Sequence, residues 1–214
     1  VNPTLAWHWA KNSLRTQHSD EPIVVGETLE ASGPLELCKN GMHASICPLD
    51  ALKYAPGSML CRVRLDGEII KGEDKLCARK RTVLWIADAE KMLHEVAFLC
   101  AERALDKAMV KDERSWNAIK VKRLWLAGKA TDAELDAAWA AARDAAWDAA
   151  AAAEAAAWAA ARDAARDAAE AAARAAAWAA GAAAWASERS WQRDTLNQMI
   201  RSLPEYKADE SLRR

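Results

Sequence analysis

The stretch "SMLCRVRLDGEII" (residues 58–70) sets the architecture of the first half of the chain. Cys61, Val63 and Leu65 fall on one side of an extended backbone and Arg62 and Arg64 on the other, the two-residue period of a half-buried strand. Asp66-Gly67 then reads as a hairpin turn into "EII". Working outward, "TLAWHWA" (4–10) alternates Leu5, Trp7 and Trp9 with Ala6 and His8 and reads as another strand. "GPLELCKNG" (33–41) is a further candidate, closed by the Asn40-Gly41 turn signal, and "RTVLWIA" (81–87) supplies one more. Between them "PLDALKYAPG" (48–57) reads as a short helix, with Pro48 at its first position and Pro56-Gly57 as its stop.

The period then changes. Over 87–110, Leu93, Val96, Ala97, Cys100 and Ala104 share a helical face, and 115–127 forms a second amphipathic helix ended by Gly128. "TDAE" (131–134) is a capping box, with Thr131 and Glu134 satisfying each other's backbone amides. It launches an alanine run, helical because alanine has the best helix propensity. Larger residues recur every four positions, as in Glu154, Trp158, Arg162, Arg166, Glu170, Arg174 and Trp178. Each such step drifts about 40° around the helix, so a straight partner helix cannot follow the stripe. Either the run breaks into helices that fold back, or its large residues wrap a rod as a slow spiral. Alanine buries little area, so cohesion is expected from most of the tryptophans packing internally.

The expected fold class is therefore α+β: a small N-terminal sheet with short helices (1–130), then an Ala/Trp-rich all-α tail (131–203, long helix or bundle) and a flexible C-terminus (204–214).

Charge is uneven around a net of −1: 20 Lys/Arg against 17 Asp/Glu in residues 1–130, and 4 against 9 in 131–187. An acidic helical region is a poor clamp for phosphate backbones, so nucleic acid is not an expected partner. The alanine run has too many charges for a membrane span. The five cysteines are odd in number and irregular in spacing, and no secretory signal precedes them, so free thiols in a cytoplasm are expected.

The densest cluster of chemistry-bearing residues is "CKNGMHASICPLDALKY" (38–54). His43 with Ser45 or Cys47, oriented by Asp50, is a candidate nucleophilic arrangement. Cys38, His43, Cys47 and Cys61 are candidate zinc ligands, although their spacing matches no standard zinc pairing. The alternative is a hydrogen-bonded loop with small core cysteines, and no cofactor is expected. "KGEDKLCARKRT" (71–82) carries the anion-binding candidates Lys75, Arg79, Lys80 and Arg81; the competing reading is a solvated edge strand. Trp139, Trp147, Trp158, Trp178 and Trp185 are the interaction candidates.

"LELCKNGMHASICPLDALKYAPGSMLCRV" (35–63) resembles a family of uncharacterised phage and environmental proteins. That family carries a Gly-[Leu/Met/Phe]-His-Ala-Ser-like signature, then Asp-Ala-Leu-x-Tyr-Ala-Pro-Gly and Cys-Arg-Val, and often ends in Ala-rich tails. The resemblance implies a phage or mobile-element context and carries over no catalytic residue.

Three functions are expected from these readings. The first is a non-enzymatic interaction protein whose helical tail meets a protein partner in the host cytoplasm. The second is a small-molecule- or nucleotide-binding, or enzymatic, head around His43 and segment 71–82. The third is self-assembly through the tail. A pocket uniting His43, Asp50 or Tyr54 with Arg79 or Arg81 would favour the second.

Overall fold

A computed structural model describes residues 3–17, 19–163 and 168–211, with side chains described outside 150–183 and 210–211. The chain divides into two compact units, one formed by residues 1–93 and 190–214 and the other by 94–189.

The first unit is built on antiparallel strands β1 (Thr4–Ala10), β2 (Thr28–Glu30), β3 (Met42–Ala44), β4 (Met59–Lys71) and β5 (Leu76–Asp88), with the short helix α1 (Pro48–Leu52) between β3 and β4. β1 pairs with β4 and β4 with β5, while the other edge of β5 takes β3 at its start and β2 further along. Just past β3, Ser45 exchanges both backbone hydrogen bonds with Trp7 of β1, at 2.7 and 2.9 Å. The path β1–β4–β5–β3 thus returns to β1, so β1 has neighbours on both sides and leaves no free edge there.

The inward face is made of small residues. Ala6, Ala10, Ala44 and Ala78 join Cys61, Val63, Leu65 and Val83 in the buried cluster. Alanines bring strands together without filling the space they enclose, which leaves room inside. On the opposite face Trp7 meets Trp85 edge-on at 5.7 Å, and the Arg62 guanidinium lies 4.3 Å from the Trp7 ring centre. Trp9, almost wholly buried, donates its indole N–H to the Pro48 carbonyl and ties β1 to α1.

Two strand expectations are revised. Asp66-Gly67 is no hairpin turn: β4 continues to Lys71 through a register shift, with Gly67 at φ +79°, so the glycine serves a bulge. The chain reverses instead at Gly72–Lys75, where the Gly72 amide donates to the Lys75 carbonyl. The span 33–41 holds no strand, because Glu36 and Asn40 close a tight turn with Cys38 at φ +70°.

The second unit contains most of α2 (Glu90–Lys107), all of α3 (Glu113–Leu126) and α4 (Asp132–Asp163), and most of α5 (Ala168–Ser202). Asp112 caps α3 through the Arg114 amide, and Gly128 adopts φ +68° after its end. The Thr131 hydroxyl accepts from the Glu134 amide while the Glu134 carboxylate accepts from the Thr131 amide, at 3.2 and 2.7 Å. α3 and α4 pack together, and Ile119 of α3 and Ala138 and Ala145 of α4 are buried. Glu188 bridges Arg103 and Lys107, at 3.0 and 2.8 Å.

These helices overturn the expected fold class of an α+β head followed by an all-α tail. The C-terminal region is not a long helical tail: residues 190–214 belong to the sheet unit, with Leu196 and Ile200 fully buried. α6 (Pro204–Ser211) lies against β5, and the Tyr206 ring stacks on Trp7 at 6.4 Å. The physical reason lies in side-chain size. After residue 195 the chain regains Leu, Met, Ile and Tyr, which have apolar area to bury, whereas the preceding alanines have little.

The expectation that the tryptophans pack internally is also corrected. Trp139, Trp147 and Trp185 are 64%, 79% and 68% exposed, while Ala138 and Ala145 are the buried residues of α4 among those whose side chains are described. Alanine permits a close helix approach and tryptophan does not, so the small residues take the inside. Trp158 and Trp178 lie outside the residues whose side chains are described.

Candidate functional site

The space inside the sheet unit is a cavity of about 540 Å³ bounded by β1, β3, α1 and the loops around residues 15–21 and 30–41. Its lining includes His8, His43, Tyr54, Lys75 and Arg81.

Arg81 comes from β5. A basic, solvated edge strand is one expectation for this segment, yet β5 is paired along both edges and Arg81 is only 4% exposed. Its register partner on β4 is Leu65, a residue of the buried cluster, and the guanidinium shares that inward side. Nη1 donates to the His43 carbonyl at 2.8 Å, whereas Nε is fully buried with no hydrogen-bond partner among the described residues. No carboxylate among those residues forms an ion pair with Arg81. Burial pulls its pKa down to about 10, partly offset by the neighbouring Cys61 sulfur, so at neutral pH Arg81 stays charged. Burial in turn pushes the Cys61 thiol up to about 11, and it stays protonated.

His8 stands on β1 between Ala6 and Ala10, opposite Cys61 of β4. Neither ring nitrogen has a hydrogen-bond partner among the described residues, and the exposed part of the ring opens on the cavity. Burial holds its pKa well below the usual histidine value, and the nearby charge of Arg81 adds to that. His8 is therefore neutral, able to accept and to donate. The sequence reading missed it: a lone histidine in an alternating strand resembles any polar residue, and only its two alanine neighbours hint at space around it.

His43 is fixed differently. Its Nε2 accepts the Cys38 amide at 3.0 Å, which places the ring proton on Nδ1. This geometry depends on Gly41, at φ +139°, where a Cβ would collide with the Cys77 sulfur. At the cavity mouth Lys75 lies 4.1 Å from the Tyr54 ring centre, and its pKa is raised chiefly by a hydrogen bond to the Cys38 sulfur. Tyr54 donates to Asp74 at 2.9 Å, and Lys53 also contacts that carboxylate at 2.7 Å.

The other candidates fall elsewhere. Ser45 lines the cavity, and its backbone closes β3 on β1. Cys47 and Asp50 line a second, smaller cavity of about 290 Å³, with Asp50 3.6 Å from Lys53. Arg79 donates to the Ala31 and Gly33 carbonyls and pairs with Glu68, which anchors the loop before β3, and Lys80 pairs with Glu30 across β2 and β5. Among the described residues no group of three or more His, Cys, Asp or Glu could hold a metal, so Cys38, His43, Cys47 and Cys61 do not assemble into a zinc site there. The five cysteines are free. Among the described residues no helix is long and apolar enough to cross a membrane.

Neither a curated protein nor a solved structure matches the chain. Residues 7–95, which carry His8, His43 and Arg81, match the family described as a domain of unknown function (DUF7666).

Proposed function

We propose that the sheet unit binds a small anionic molecule in its cavity, with Arg81 as the charge partner. The observation that carries this reading is a buried guanidinium with no carboxylate beside it and an unmatched Nε. Isolating a charge from water costs several kcal/mol unless an opposite charge and hydrogen bonds replace the lost hydration. An anionic ligand supplies both at once, and a guanidinium suits a carboxylate or a phosphate. The cavity volume falls within the ~300–1,000 Å³ usual for small-molecule sites. His8 adds a polar group that needs no counter-charge.

The test is a thermal-shift screen of the full chain against paired small molecules that differ only in a phosphate or carboxylate. Anionic members should raise the melting temperature and neutral partners should not. Equal responses to both members of each pair would end the proposal.

A second reading has its own observation. The exposed Trp139 and Trp147 stand eight residues apart on α4, a spacing that keeps them near one side of the helix, and large exposed aromatics mark docking surfaces. This supports contacts with a protein partner, in the phage or host context that the resemblance implies. Replacing both with Ser should abolish capture of that partner without changing helix content; unchanged capture would remove this reading.

A further inference from the structure

We propose that the cavity selects a dianionic group, such as a phosphomonoester, which sits between Arg81 and His8 and draws a proton onto His8 as it enters; this rests on reading the cavity as an anion site.

The argument begins with what surrounds His8. From β4 comes Cys61, a neutral thiol; from β5 comes Arg81, charged; from β3 comes His43, whose Nε2 is occupied by the Cys38 amide. The fixed charge at the floor of the cavity is thus the single positive charge of Arg81. A monoanion is balanced by Arg81 alone and leaves His8 neutral. A dianion carries one negative charge more than the floor can match.

The lining also carries Lys11, Arg15, Lys39 and Lys75, which are already charged, so beside Arg81 it is His8 that can answer the dianion by taking up a proton. Its ring opens on the cavity between Ala6 and Ala10, and its nitrogens have no partner among the described residues. Attraction between two unit charges about 4 Å apart near a protein surface favours protonation by on the order of 1,000-fold. That pulls a histidine held neutral by its surroundings toward its cationic form as the ligand arrives. The proton comes from solvent, adds to a ring nitrogen and becomes a hydrogen-bond donor to the ligand; no covalent bond is made or broken. The low pKa of empty His8 fits this picture, because it leaves room for a full proton to be taken up.

The test is isothermal titration calorimetry of the full chain with sulfate, doubly charged across the whole range used, and with acetate, singly charged. Titrations run from pH 6 to 8 in buffers of different ionisation heat. Sulfate should bind with net proton uptake, and its affinity should fall, by no more than about tenfold per pH unit, as pH rises. Acetate should bind without uptake. His8→Gln should still bind sulfate, more weakly and with no pH dependence, and Arg81→Met should bind neither ion. Sulfate binding without proton uptake, or with the same uptake in His8→Gln, overturns the proposal while leaving the anion site standing. Uptake of equal size with acetate overturns the selectivity for a dianion. No binding of either ion at any pH overturns both this proposal and the anion site.

Discussion

Replacing Arg81 with Met separates a functional charge from a structural one. The methionine chain follows the aliphatic stem of arginine and removes the guanidinium. In the empty protein that guanidinium is a burden. Burial lowers its pKa to about 10, and a fall of that size corresponds to roughly 3 kcal/mol against the folded state. The sign follows from its being a cation with a depressed pKa: the penalty is complete at neutral pH and is relieved only as pH rises past about 10. Against it stands one charged hydrogen bond, to the His43 carbonyl, typically contributing about 1.5–3 kcal/mol. The two nearly cancel. Arg81→Met should therefore leave the empty protein as stable as the wild type, or about 1 kcal/mol more so, in urea unfolding followed by tryptophan fluorescence. The variant should differ sharply once an anion is present: at a hundred times its dissociation constant the anion stabilises the wild type by about 2.7 kcal/mol and the variant by nothing. A variant destabilised by more than about 2 kcal/mol, with anions stabilising both proteins equally, would show that Arg81 is a structural group and refute the reasoning.

Trp9→Phe should cost about 1–3 kcal/mol in chemical denaturation, because the buried Pro48 carbonyl loses its indole donor. Thr131→Ala should cost about 1 kcal/mol and speed amide hydrogen exchange in the first turn of α4, where the hydroxyl caps the Glu134 amide. The Glu188 carboxyl is held below the usual range chiefly by Lys107, then by Arg103, so it stabilises the fold above ordinary carboxylate values and loses that effect as pH falls through its lowered value. Glu188→Gln should then be less stable than wild type by no more than about 1 kcal/mol at pH 7, since the pair is partly exposed, and the two stability curves should converge in acid. Trp139→Ser with Trp147→Ser should change stability by less than about 0.5 kcal/mol, as expected of exposed residues.

Local patterns were readable from the residues, and closures over long distances were not. The alternation of Cys61, Val63 and Leu65 announces β4 because strand pairing and burial share a two-residue period. Asp66-Gly67 misleads because a bulge and a hairpin turn both need a residue tolerant of positive φ. The basic segment 71–82 looks solvated, yet its arginines have separate fates, Arg79 anchoring a loop and Arg81 entering the cavity. What decides between them is a ring of strands closed by Trp7 and Ser45, 38 positions apart, which no local pattern encodes. His43, Tyr54, Lys75 and Arg81 were all singled out from the sequence, and the cavity brings them together. His8 was missed for the same reason that Arg81 was ambiguous, since its meaning depends on which side of a closed sheet it faces. In the alanine run the four-residue beat drew attention to the tryptophans, whereas in the described part of α4 the buried positions are the alanines Ala138 and Ala145.

The central claim is that Arg81 waits for an anion. Crystals of the full chain soaked in selenate, an anomalously scattering analogue of sulfate, test it most directly. The account predicts a selenium peak inside the cavity, with selenate oxygens about 3 Å from the Arg81 guanidinium and beside the His8 ring. Selenate found only on surface lysines, with water alone against Arg81, would contradict it.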